Sequence, residues 1–197
     1  MSENTVRERI LDAGFTAFTS GGYAETSTAE IAARAHVSKR EIYALVGNKQ
    51  DLLSACISER AQRLHLPAIL PPIRDRKTLA QVLASFGAQL VREVSDSSVI
   101  ATFRLAISEA IRAPEVAQSL DSIGRESTRV ALRRIMAQAK KSRLLNGSPA
   151  ELGRLFNALL FGDLLVSLLL GVVKQPNSRE IEKRAEDAAA AFLRLSC

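Results

Sequence analysis

Two helix-start signatures lie so close together that they dictate what stands between them. Ser27-Thr28-Ala29-Glu30 and Ser38-Lys39-Arg40-Glu41 each put a hydroxyl at an N-cap and a glutamate three residues on. That pattern satisfies the first orphan amides of a helix reciprocally. Only Ala35-His36-Val37 separates the two predicted helices, so both are short and the turn is tight. Ahead of them Val6, Ile10, Ala13, Ala17 and Phe18 share one helical face, widened by Leu11 and Phe15. That helix runs from about Thr5 to Thr19, and Gly21-Gly22 ends it. A broadly buried helix followed by two short ones around a three-residue turn is a helix-turn-helix.

The rest of the chain also reads as helix. Asn48 caps a fourth helix from Lys49 to about Leu66, with Leu52, Leu53, Cys56, Ile57 and Leu64 apolar. After a proline-rich connector over 67–77, longer helices are expected at about 78–95, 98–112, 114–144, 149–173 and 178–195. Pro67, Pro71, Pro72, Pro114, Pro149 and Pro176 all avoid helix interiors. Ser148-Pro149-Ala150-Glu151 reads as a third capping box. No run alternates with period two, so no strand is expected. The fold class is therefore all-α with about nine helices. An N-terminal three-helix helix-turn-helix domain spans 1–48, and a larger helical domain spans 49–197.

With 47 % hydrophobic residues over 197, the chain is no disordered polyanion binder. Its 27 Lys and Arg against 21 Asp and Glu give a net charge of +6, which suggests an anionic partner. The surplus is not where the helix-turn-helix lies. Residues 1–60 are net −1, 61–150 net +7 and 151–197 neutral. Cys56 and Cys197 follow no metal or redox spacing, and MSENTVRERIL lacks the order of a signal peptide, so a cytoplasmic protein is expected. The apolar run Ala158 to Val173 is 16 residues long and contains Asp163. A membrane span needs about 20. The run is expected instead as a mostly buried helix, with Asp163 paired to a helix neighbour such as an Arg, or touching a ligand. No membrane partner is expected.

The second short helix would offer its first turn to a DNA major groove. Lys39 and Arg40 can donate to guanine O6 and N7 or to phosphate. Glu41 serves either the capping box or cytosine N4, and Tyr43 brings a ring and a hydroxyl near the backbone. Lys49, with the first amides of the fourth helix, would make an anion site. Ser27 and Thr28, at the start of the second helix, complete the candidate DNA-contact set.

The stretch Thr26 to Leu53, TSTAEIAARAHVSKREIYALVGNKQDLL, resembles the DNA-binding domain of the TetR/AcrR family of bacterial regulators. The preceding RERILDAGFTAFTSGGYAET resembles that family's first helix and Gly-Tyr turn. The family usually has Gly where this chain has His36, and His-Phe where it has Leu45-Val46. The resemblance implies a ligand-responsive, dimeric DNA-binding regulator, most often a repressor of a palindromic double-stranded DNA operator. It implies that 49–197 binds a small-molecule effector and dimerises. The homodimer interface would use the helices at about 149–173 and 178–195.

Candidate walls of an effector pocket are Phe86, Leu90, Phe103, Ile107, Phe156, Leu160 and Asp163. With no tryptophan in the chain, an aliphatic rather than a stacking pocket is favoured. Arg125, Arg129 and Arg133 recur every four residues, as a solvated face or as contacts to an anionic effector or DNA. His36 reads as an adapted turn residue and His65 as a partner of a helix C-terminus; neither has an acidic or thiol neighbour at catalytic spacing. No metal, cofactor or enzymatic activity is expected. The alternative, a small helical enzyme or carrier of apolar ligands, lacks a nucleophile–base pair, a phosphate loop and a metal set.

Overall fold

The structure, a computed structural model, describes residues 3–62 and 71–196. Among these there are eleven α-helices and no strand. They are α1 (Glu3–Gly21), α2 (Thr28–Ala35), α3 (Lys39–Leu45), α4 (Lys49–Gln62), α5 (Arg76–Val94) and α6 (Ser97–Glu109). After them come α7 (Pro114–Ser119), a π-helical turn (Leu120–Arg125), α8 (Glu126–Lys141), α9 (Pro149–Phe161), α10 (Leu164–Leu170) and α11 (Ser178–Leu195). The expected end of the fourth helix, with Leu64, His65 and Leu66, lies outside the described residues, as do Pro67 and Cys197.

The count exceeds nine because two expected helices are broken. The expected 114–144 helix changes to π geometry at Leu120–Arg125 before resuming as α8. The expected 149–173 helix stops at Gly162, whose φ of 49° and ψ of −120° suit no L side chain. It resumes as α10, bent by 52° from α9. No single helix among the described residues is long and apolar enough to cross a membrane. Asp163 opens α10 as an exposed residue, which corrects the expectation of a buried, paired carboxylate.

Two of the three expected caps differ as well. Ser27 Oγ accepts from the Glu30 amide at 3.1 Å, but the Glu30 carboxylate pairs with Arg34 at 3.5 Å instead of reaching back. Ser148 makes no side-chain cap. Reciprocal boxes form instead at Asp75 with Thr78 and at Asn177 with Glu180. Asp and Asn cap as well as Ser does.

The chain divides into two compact units. The first comprises residues 3–62 with 101–126. Its core holds Ile10, Leu11, Phe18, Ile31, Ile42 and Leu52, all fully buried, joined by Leu105, Ala113 and Val116. Gly14 on α1 lies so near α4 that a Cβ there would sit 3.1 Å from Leu52. Thus α4 and 101–126 pack with α1–α3, and the compact division does not fall at the expected boundary of 48/49.

The second unit comprises 71–100 with 127–196. Here α5, α8, α9, α10 and α11 bury Leu79, Leu83, Phe86, Leu90, Ile135, Met136, Phe156, Leu160 and Phe192. The Phe156 and Phe192 rings meet edge to face, with centroids 5.8 Å apart and planes at 86°. A Cβ on Gly87 would lie 3.0 Å from Leu160 and 3.3 Å from Phe156. The α5–α9–α11 contact is thus packed to van der Waals limits.

Candidate nucleic-acid interface

In the first unit α2 and α3 are fixed from beneath. Ile31, Ala32 and Ala35 on α2 and Ile42 on α3 enter the core. Thr26, also buried, donates from Oγ1 to the Gly22 carbonyl at 2.7 Å and to the Ala17 carbonyl at 3.2 Å. This ties the start of α2 to the end of α1.

His36 makes the turn with φ 54° and ψ 48°, the left-handed region, while the Val37 amide reaches back to the Ala32 carbonyl at 3.0 Å. A β-carbon there costs roughly 1–2 kcal/mol, which explains the usual Gly. Gly also loses roughly 0.5–1 kcal/mol more chain entropy on folding. His36→Gly is therefore expected to stabilise the protein by about 0.5–1 kcal/mol, read as a higher denaturant midpoint; a lower midpoint would show that the His36 side chain has a role of its own.

Ser38 and Glu41 form the full capping box. The Glu41 amide donates to Ser38 Oγ at 3.2 Å, and the Ser38 amide to a Glu41 carboxylate oxygen at 2.7 Å. The Ser38 amide, then the Ser38 side chain, hold the Glu41 carboxyl below its ordinary value, and Arg9 adds to the effect. Glu41 is therefore committed to building α3, although its expected roles included reading a base. A carboxyl whose folded pKa is depressed stabilises above its unfolded value, and the benefit is lost as pH falls through the folded one. Wild type should therefore exceed Glu41→Gln in stability at pH 7. The gap should close as pH drops below 4.5, the ordinary value, when both are unfolded by urea across a pH series. A gap that persists unchanged in acid would place the effect elsewhere.

With Ile42 facing inward, the exposed side of α3 carries Lys39, Arg40 and Tyr43, the last 55 % exposed. Lys39 and Arg40 stand four and three residues before Tyr43, so the three share a face. Ser27 is exposed and Thr28 half-buried at the start of α2.

Lys49 departs from its expected role. Its Nζ donates to the Ala24 carbonyl at 3.0 Å and stands 4.6 Å from the centre of the Tyr23 ring, a cation–π contact. The first amides of α4 are also engaged, since Asn48 Oδ1 accepts from Gln50 and Asp51 at 2.8 and 3.0 Å. The Asp51 carboxylate accepts from the Asn48 amide at 2.9 Å. An anion site at this helix start is thus replaced by an internal staple, with the α1–α2 turn held to the start of α4. Gly47, before it, has φ 113°, and a Cβ would fall 2.5 Å from the Asp51 carboxylate, so no other residue fits without movement. Burial, and secondarily Glu115, push the Tyr23 hydroxyl up.

The proposed effector walls are divided between the two units. Phe86, Leu90, Phe156 and Leu160 are buried in the closely packed core of the second unit. Phe103 is half-buried and Ile107 is 62 % exposed, both on the part of α6 that belongs to the first unit. Asp163 is at the surface. The arginine stripe is also divided: Arg125 pairs with Asp121 at 3.0 Å in the first unit, while Arg129 and Arg133 are exposed on α8 in the second. No group of three metal-binding side chains occurs among the described residues.

A short exposed helix with two adjacent cations, held by a helix-turn-helix on a conformationally fixed turn, defines a DNA-binding regulator. Comparison with known proteins gives the family. Residues 10–56 match the bacterial regulatory proteins of the tetR family, and residues 81–195 match the AefR-like transcriptional repressor, C-terminal domain. The chain is 26 % identical over 189 residues to an uncharacterized HTH-type transcriptional regulator, YvkB, of Bacillus subtilis, covering 95 % of each. It superposes on the flavonoid-responsive regulator FrrA with a TM-score of 0.81 at 25 % identity, covering 98 % of this chain and 97 % of that one. A TetR regulator from Agrobacterium tumefaciens gives 0.78 at 27 % identity, covering 96 % and 94 %. The chain belongs to the TetR family. It is a ligand-responsive DNA-binding transcriptional regulator, not an enzyme, in a family whose members bind DNA operators and effectors and dimerise.

Proposed function

We propose that this protein is a cytoplasmic repressor that holds a palindromic double-stranded operator as a homodimer and releases it when a small-molecule effector binds. The observation that carries the reading is the α3 face. Lys39, Arg40 and Tyr43 are exposed on a helix whose opposite side, at Ile42, is fully buried and whose first turn is locked by Ser38 and Glu41. Residues 1–48 read the operator, and 49–197 serve effector binding and dimerisation. Ser27 and Thr28 contact the backbone, while Lys49 acts by positioning.

The homodimer would form through α9–α10 and α11. Val166, Leu170 and Val172 are exposed large apolar residues on or just after α10. Ala188 and Ala191 on α11 line an open groove together with Leu159 and Leu164, and these small residues allow close helix approach. Two α3 helices about 34 Å apart would meet successive turns of one groove. Because FrrA is named for its response to flavonoids, apolar small molecules, flavonoids included, are the first effectors to test. An effector releases the operator only through tighter binding to the released state.

A gel shift with DNA flanking the protein's own coding region tests the reading. A retarded band at low salt that an effector abolishes is expected. No band across several flanking fragments overturns it.

A further inference from the structure

The charge surplus outside the first unit has a location. Ser142 Oγ donates to the Ile73 carbonyl at 2.7 Å, which joins the end of α8 to the start of α5. Arg76 donates to the Leu193 carbonyl at 2.9 Å, which brings in the end of α11. Three segments, 73–77, 140–147 and 193–196, therefore meet at one end of the second unit. They carry Arg74, Arg76, Lys77, Lys140, Lys141, Arg143 and Arg194 against one acid, Asp75. Their net charge of +6 equals that of the whole chain. All seven cations are exposed residues.

Four features distinguish this end from an ordinary solvated surface. Among the described residues no salt bridge engages Arg74, Lys77, Lys141, Arg143 or Arg194. The Asp75 carboxylate is occupied in capping α5. Helix C-termini favour cations, which accounts for Lys140, Lys141 and Arg194. Arg76 and Lys77, however, lie in the first turn of α5, where the macrodipole disfavours them and the one neighbouring acid, Asp75, is already engaged as the N-cap. Arg143 has φ 56°, so an arginine occupies a left-handed helix stop that favours glycine.

We infer that this end of the second unit is a sequence-independent contact surface for the phosphates of duplex DNA, in a different unit from the α3 reading face. Four of the seven cations are arginines, whose planar forks match phosphate oxygens. The only large exposed apolar residue in the three segments is Leu195, too little to anchor a lipid surface. The surface supplies non-specific affinity that the net-negative first unit lacks. It holds DNA through charge, with no base contact and with counterion release.

The test uses the full chain, with Arg74→Gln, Lys77→Gln, Lys141→Gln and Arg143→Gln combined. Arg76 and Lys140 are kept because they bind backbone carbonyls. Fluorescence anisotropy on a short duplex without an operator, across a salt series, should show at least roughly tenfold weaker binding at low salt. The slope of log affinity against log salt should fall by about 3.6, near 0.9 for each of the four cations removed. Thermal melting followed by circular dichroism should stay unchanged. Lys39→Ala with Arg40→Ala should keep most of the operator-free binding, so a failure of the α3 reading would not be mistaken for a failure here. An unchanged salt slope in a folded quadruple variant overturns the inference. So does loss of binding to phosphatidylglycerol–phosphatidylcholine vesicles with DNA binding intact, which would make the surface a membrane one.

Discussion

Lys39→Ala combined with Arg40→Ala is expected to abolish operator recognition while leaving the protein folded. Both side chains are exposed on the first turn of α3, and neither enters a cap or a salt bridge. The substitutions therefore remove donors and leave the scaffold untouched. A bidentate contact to a base is worth about 1–3 kcal/mol of discrimination. A dimer with two half-sites loses each twice, about 4 kcal/mol at the least, so operator affinity should fall on the order of 1,000-fold. Anisotropy titration of operator against a scrambled duplex measures this, with melting temperature as the control. Equal loss on both duplexes would assign Lys39 and Arg40 to phosphates only. No loss on either would remove α3 from the reading face.

Phe156→Ala should produce the largest loss of stability. Phe156 is fully buried, meets Phe192 edge to face and lies against Gly87 of α5, so three helices lose a shared filler at once. Truncating a core phenylalanine costs about 3–5 kcal/mol through lost transfer energy and the remaining cavity. For a chain of this size that is on the order of 10 °C in melting temperature. Phe156→Leu, which keeps most of the volume, should lose less than half as much. A thermal shift below about 3 °C for Phe156→Ala would mean that the site collapses or admits ligand-like space, as the pocket reading supposed.

That contrast shows how far the residues alone can be read. Helix existence and the helix-turn-helix were legible because their signals are local. Ser38 and Glu41 cap the helix they start, Ile42 points inward because its neighbours are polar, and His36 stands where a left-handed residue is needed. The pocket was not legible. Apolar residues at helical spacing look the same whether they line a cavity or fill a core. The one discriminating signal was Gly87, whose missing side chain lets α9 and α11 close on α5. Lys49 misled for a related reason: a cation at a helix start suits an anion, but Tyr23 and Ala24 come within its reach only through the fold. The π-helical turn at Leu120–Arg125 has no local signature, and the seven-cation surface is assembled from three distant segments.

The bend at Gly162 bears on how so apolar a stretch is accommodated in this fold. A straight rod of that composition would show oil on every side along its length. Broken in two, the stretch divides its labour. Before the bend Leu152, Phe156 and Leu160 are spent on the interior. After it Leu164 and Leu168 stay inside, while Val166 and Leu170 turn outward over a span of only seven residues. The outward-facing apolar side chains of α10 are thereby kept to two turns.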